Sequence, residues 1–164
     1  MTDLETWLGN ELDGYKKRED LPQYRILHGA SRAFNMYHGW QDIGFKEAKT
    51  ATAFSTAPVF DPIAVVEELT LGANNAQHEL VMSYPPDIAL DLLKQAGYGW
   101  SRPSIHFSTA QFSGILDAVR NGVLEWSLKL EKLGVLGEEM TFSSDERQRA
   151  QNAAIHTVVD RQIG

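Results

Sequence analysis

The sequence predicts an α+β domain, a small antiparallel sheet backed by helices, with one long amphipathic helix near residues 109–133 as its spine. Two observations carry that expectation. From Ser108 to Gly134, the residues Phe112, Leu116, Val119, Val123, Trp126, Leu130 and Leu133 alternate steps of four and three, which puts all seven on one stripe of a helix. The remaining segments run in the order helix, strands, helices, strand, long helix, with no internal repeat and no low-complexity stretch.

The spine has both ends written into it. Ser108 with Gln111 three residues on reads as a capping box, and Gly134 directly after Leu133 is the expected left-handed stop. Ile115, Leu124 and Leu128 widen the stripe. A helix of about 24 residues is roughly 36 Å long and spans a small domain.

Upstream, residues 2–15 read as a short amphipathic helix with Thr2 and Glu5 as capping box, Leu4, Trp7, Leu8, Leu12 and Tyr15 on one face, and Gly14 at the exit. Lys16 to Asp20 is a polar connection. Tyr24 to His28 and Ala33 to His38 have the texture of two strands, and the spacing predicts a hairpin closed by Gly29, Ala30, Ser31 and Arg32. Trp40 to Lys49 reads as a loop, and Thr50 to Ser55, alternating Thr with Ala, as a third strand. Asp61-Pro62 starts a helix carrying Ile63, Val66 and Leu69, which either stops near Gly72, Asn74 and Asn75 or resumes through Ala76, His78 and Leu80. Pro85-Pro86-Asp87 starts another, with Ile88, Leu92 and Leu93 inward and Gly97 at its end. Tyr98-Gly99-Trp100 is an aromatic turn, and Ser104 to Phe107 a short strand leading into the spine. Ser143 with Glu146 forms a further capping box, followed by Ala150, Ala154, Ile155 and Val158 at helical spacing.

A length of 164 residues fits one domain able to bury its own core. With no cysteine, disulfides, thiolate metal sites and a cysteine nucleophile are excluded. An acidic N-terminus and the lack of any long apolar run predict a cytoplasmic protein without membrane contact. Twenty-two acidic against fifteen basic residues give a formal charge of -7, which disfavours nucleic acid as a partner, because neutralising phosphates needs a basic face.

The residues do not display a reaction. Phosphate-binding glycine loops, His-Glu-x-x-His, Gly-x-Ser-x-Gly and EF-hand loops are all missing, so no catalytic residue, no metal ligand and no cofactor is assigned. His28, His38, His78, His106 and His156 lie at no metal-ligand spacing; His28 and His106, on expected strands, read as half-buried, hydrogen-bonded histidines. On the spine, Asp117, Arg120 and Asn121 share a polar edge, either a solvated salt-bridged face or a place for an anion or a partner. The four tryptophans read first as core. Trp40 and Trp100, beside glycines in loops, are candidates for a recognition surface together with Arg120, Asn121, Arg25 and Arg102.

Two segments carry a family resemblance. Trp7-Leu8-Gly9-Asn10-Glu11-Leu12-Asp13-Gly14-Tyr15 with Leu21-Pro22-Gln23-Tyr24-Arg25, and Gly114-Ile115-Leu116-Asp117-Ala118-Val119-Arg120-Asn121 with Leu124 to Glu131, resemble the AbiTii domain. Tyr84-Pro85-Pro86-Asp87 is similar to that family's Pro-Pro stretch. Gly122 departs from it, where members tend to carry a bulkier or polar residue, and is expected to allow close approach of another backbone to the spine. The resemblance implies an AbiTii-like domain over 1–140, with 141–164 as a C-terminal helical tail or linker. It further implies a nonenzymatic sensing or protein-interaction module of bacterial abortive-infection defence against phage. Its partner would be a protein of the defence system or a phage trigger. The alternatives are a toxic effector enzyme such as a metal-dependent nuclease, and a module binding a small anion or nucleotide. Apart from the resemblance, the thin stripe of Ala150, Ala154, Ile155 and Val158 is too small to order a lone helix, so the C-terminal segment packs on its own domain, pairs with a second copy in a homo-oligomer, or frays as a tail.

Overall fold

The spine forms as Thr109–Lys132 (α5) in the computed structural model, which describes residues 3–76, 79–135 and 143–150. It ends at Gly134, whose φ of 68° is the left-handed stop; the Gly134 amide donates to the Glu131 carbonyl (2.9 Å) and the Val135 amide to that of Leu130 (3.0 Å). The capping box at its start does not form. Gln111 reaches across instead, and its Oε1 accepts from the His28 amide at 3.1 Å, satisfying a strand end rather than a helix end.

Ahead of the spine run α1 (Asp3–Asp13), β1 (Ile26–His28), β2 (Ala30–Asn35), β3 (Gly39–Asp42), α2 (Ala48–Ser55), β4 (Thr56–Pro58), α3 (Ile63–Ala76), β5 (Leu80–Ser83), α4 (Pro86–Ala96) and β6 (Trp100–Phe107). The strands form two antiparallel sheets, a pair β1-β4 and a four-stranded sheet in the order β3-β2-β6-β5. This is the α+β class expected, reached by a different pairing.

The expected hairpin across Gly29 is not made: β1 pairs with β4, while β2 turns back through Met36 to His38 onto β3. Gly29 is where the chain leaves one sheet for the other. A Cβ there would stand 2.6 Å from the His106 carbonyl oxygen and 2.6 Å from Ile105 Cγ2, so only hydrogen fits. Its amide donates to the Ser55 carbonyl (2.7 Å) rather than within a hairpin.

Thr50 to Ser55 is helical, not a strand, and the loop assigned to Trp40 to Lys49 gives up its first residues to β3 and its last to α2. Threonine hydroxyls make the helix acceptable: Thr52 Oγ1 donates to the Ala48 carbonyl (3.0 Å) and Thr56 Oγ1 to that of Thr52 (2.7 Å), and three alanines cost no side-chain entropy. α3 continues past Gly72 but only to Ala76; Leu80, expected either on that helix or beyond its end, opens the strand β5, and the strand expected at Ser104 to Phe107 begins already at Trp100.

The core lies between the two sheets, α3 and α5: Leu27, Ala57, Val59, Val66, Ile105, Phe107, Phe112, Ile115 and Leu116 form one buried cluster. Only the first half of the spine stripe belongs to it. Val123, Leu124, Leu128 and Leu133 remain exposed, and Leu130 is buried with Val135. The Ser143–Glu146 capping box is made reciprocally, Ser143 amide to Glu146 Oε2 (2.7 Å) and Glu146 amide to Ser143 Oγ (3.2 Å). Thr2, His78, Ala154, Ile155, His156 and Val158 lie outside the described residues.

Candidate functional site

Two polar constellations stand out, one enclosed and one open. The enclosed one grows from α1. Trp7, Glu11 and Tyr15 are spaced four apart and share one helical face, so Glu11 sits in the middle of an apolar stripe and is 1% exposed. Arg25, 0% exposed at the end of the turn Gln23–Arg25, answers it: Nη2 donates to Glu11 Oε2 (2.5 Å) and Nε to Glu11 Oε1 (3.3 Å). Nη1 donates to the carbonyls of Asp61 (2.7 Å) and Val59 (3.3 Å). The hydroxyls of Tyr15 (2.7 Å) and Tyr24 (2.6 Å) donate to Glu11 Oε1, and Trp7 Nε1 donates to the Tyr24 hydroxyl at 2.8 Å.

Burial, then the bond to the Glu11 carboxylate, pushes the Tyr24 phenol up to about 12, and Tyr15 rises for the same two reasons in the same order. Each donor atom of the cluster meets at least one acceptor, which is the condition for keeping a charge pair in a core. Its chemistry is structural: the guanidinium faces protein carbonyls and one carboxylate, with no opening for a ligand. On the spine side, Trp7 lies against Gly122, where a Cβ would stand 3.1 Å from Trp7 Cη2, so it is an indole ring and not the expected backbone that comes close there.

The open constellation lies on the face of the four-stranded sheet turned away from α4. Strand alternation and register bring Arg32, Phe34, Trp40, Asp42, Ser104 and His106 to that side. Arg32 Nε donates to Asp42 Oδ1 (3.0 Å), and its Nη1 to both oxygens of Glu79 (3.0 and 2.9 Å). His106 Nδ1 is 2.9 Å from Glu79 Oε2, and its Nε2 is 3.2 Å from Ser104 Oγ. The His106 hydrogen bond, with Arg32 beside it, holds the Glu79 carboxyl below the usual carboxylate range. Phe34 and Trp40 meet edge to face at 5.6 Å, Trp40 meets His106 at 4.5 Å, and the Arg102 guanidinium lies 4.5 Å from the Phe34 centroid and 5.4 Å from that of Trp40.

Ser104, His106 and Glu79 stand in the order of a nucleophile, a base and an orienting acid. Ser104 is buried, however, and its hydroxyl is also 3.2 Å from the Arg102 carbonyl, an arrangement that fixes the strand beneath Arg102. Among the described residues no group of three His, Asp or Glu could hold a metal ion. No helix among them is long and apolar enough to cross a membrane.

Of the six residues expected at a recognition surface, the structure brings two together, Trp40 and Arg102. Arg25 is buried in the Glu11 cluster and reaches no surface. Trp100 lines a cavity of about 300 Å³ on the opposite side of the sheet, with Leu92, Leu93, Phe45 and Pro103. Arg120 and Asn121 are exposed on α5, and Arg120 pairs with Glu67 (3.4 Å) and Asp117 (3.5 Å), a solvated salt-bridged face. Residues the sequence reading passed over are Glu11, Tyr24, Arg32 and, at the end of the sheet, Met36, Tyr37 and Tyr98; Glu79 stood out only beside His78, as a weak acid and base pair on an expected helix, whereas it precedes β5 and meets His106 and Arg32. A carboxylate in phase with an apolar stripe was the available signal for Glu11; for the pairing of Glu79 with Arg32, 47 positions apart, none existed.

Residues 1–155 match the model of the family described as AbiTii. No curated protein and no solved structure matches the chain. Trp7, Glu11, Tyr15, Tyr24 and Arg25, all within the first resembling segment, are the members of the enclosed cluster, and Gly122, which receives Trp7, adjoins the second. The two segments are thus one packed unit, and the chain belongs to the AbiTii family, which places it in abortive-infection defence against phage.

Proposed function

We propose that the chain is a nonenzymatic sensing or protein-interaction module of that defence, and that it engages a defence protein or phage trigger through the aromatic end of its open sheet face. One observation carries this: Tyr98, Tyr37, Met36 and Trp40 are 91%, 71%, 57% and 39% exposed and cluster at one end of the sheet. The Met36 amide donates to the Gly99 carbonyl (3.0 Å), and the Met36 and Tyr37 side chains come within 3.6 Å of where a Cβ on Gly99 would be, so the two turns are in contact. Tyrosine, tryptophan, methionine and arginine are the residue types enriched at protein interfaces, and a contiguous exposed patch of them marks one. Phage plating on cells carrying the intact defence locus tests the reading. Trp40→Ala with Tyr98→Ala, in a protein that still melts cooperatively, is expected to abolish protection; undiminished protection refutes the reading.

The order Ser104, His106, Glu79 favours a second reading, an effector enzyme. Purified protein incubated with RNA, DNA and nucleotides in the presence of Mg²⁺ separates the two: turnover that His106→Ala abolishes would replace the first reading with the second.

A further inference from the structure

Arg102 bears on the chemistry that the partner brings to this face. Its φ is 48°, a left-handed conformation that a long side chain rarely adopts and that marks a constrained position. The constraint is visible: the Arg102 carbonyl faces Ser104 Oγ at 3.2 Å, and the guanidinium is laid over Phe34 and Trp40. Among the described residues no carboxylate pairs with Arg102, whereas Arg32 on the same face is held by both Asp42 and Glu79. Stacking uses the flat faces of a guanidinium and leaves its in-plane N–H groups for another acceptor. An arginine already fixed on rings has also lost much of its rotamer freedom before a partner arrives, which lowers the entropic cost of binding.

Resting on the interaction reading, we infer that Arg102 is the receptor for a carboxylate, and that the occupant of this face is a protein segment carrying one such carboxylate with an aromatic or aliphatic side chain next to it. The neighbouring apolar side chain would lie on Tyr37, Trp40 and Tyr98. Nucleic acid fits the face less well. A phosphate backbone calls for a row of cations, and here Arg32 is already neutralised on a chain of net charge -7.

The test uses the isotope-labelled full chain and follows the Arg102 Nε and Trp40 indole signals. The probes are acetyl-Phe-Glu-Phe-amide, its Gln counterpart and a thymidine octamer. The Glu peptide is expected to shift both signals saturably and to bind roughly tenfold more tightly than the Gln peptide, the size of one charge-assisted hydrogen bond. That preference should vanish in Arg102→Gln, a substitution at an exposed position, and shrink at high salt. Equal affinity for the two peptides, or no shift at Arg102, overturns the inference; tighter binding of the octamer overturns it in favour of nucleic acid. Phage plating tells its failure from that of the underlying reading. Protection lost in Trp40→Ala but kept in Arg102→Gln leaves an apolar docking face without the partner carboxylate, and protection kept in both removes the docking face itself.

Discussion

Glu11→Ala is expected to be among the most damaging single substitutions in this protein. It strips the enclosed Arg25 of a carboxylate bound through both Nε and Nη2, and leaves the Tyr15 and Tyr24 hydroxyls without their acceptor. Breaking a buried pair from one side costs about 3 to 5 kcal/mol, because the remaining charge stays desolvated and uncompensated. Against a total stability of about 5 to 15 kcal/mol that is a third or more, and it lowers the melting temperature by roughly 10 °C. Urea denaturation gives the number directly, provided the slope stays that of the parent. Once Glu11 is gone, Arg25 is a liability, so Glu11→Leu combined with Arg25→Met should be more stable than either single variant. A double variant as damaged as the sum of the two, or a Glu11→Ala loss under about 1 kcal/mol, would refute the assignment of this cluster as a mutually dependent pair.

Four further outcomes can be measured. Gly29→Ala should cost about 1 to 3 kcal/mol in the same assay, since its Cβ would stand 2.6 Å from backbone that cannot move aside; a neutral result would show that the sheet junction tolerates a side chain. Gly122→Ala should fail to deliver the gain of about 1 kcal/mol that alanine normally gives a helix, because the Trp7 ring it meets at 3.1 Å is tethered to Tyr24; a full gain would mean the ring yields. On the acid side, the lowered Glu79 carboxyl contributes stability that is present above the ordinary carboxylate range and lost as pH falls through its folded value; on the alkaline side, the Tyr24 contribution is full below about 10 and lost as pH rises through about 12, so Tyr24→Phe should flatten the alkaline limb. Light scattering on the full chain is expected to give a dimer that becomes a monomer when the chain ends at Leu136, and a monomer in both cases would remove the C-terminal segment as the means of association.

Legibility in the sequence followed how local each signal was. Helix limits written by neighbouring residues came through: Pro86 with Asp87 at the start of α4, Gly97 at its end, Gly134 after the spine, Ser143 with Glu146 in the last helical stretch. Ser108 and Gln111 had the same local grammar and did something else, because the His28 amide, 83 positions away, competed for the Gln111 side chain and won. Strand pairing failed in the same way. The spacing around Gly29 satisfies a hairpin in isolation, but the pairing is decided by β4 and β6, which supply partners from 30 and about 75 residues downstream in a register that no local pattern encodes.

The recognition surface shows what this means for function. Arginines look alike in a sequence, and Arg25, Arg32, Arg102 and Arg120 differ only in what the fold sets beside them. Arg25 is sealed between Glu11 and two carbonyls, Arg32 is neutralised by two carboxylates, and Arg120 is paired on a solvated helix face. Arg102 alone of these four lies on aromatic rings with no described carboxylate against it. Its position depends on a bulge between Arg32 and Phe34, where the register with β6 shifts and lets residue 102 fold back over the sheet. A surface assembled from a turn, a bulge and the start of a strand leaves no periodic trace. What the sequence could show was the kind of residue a partner would use, tryptophan and arginine beside glycines; which two of six stand together was settled by pairings that span most of the chain.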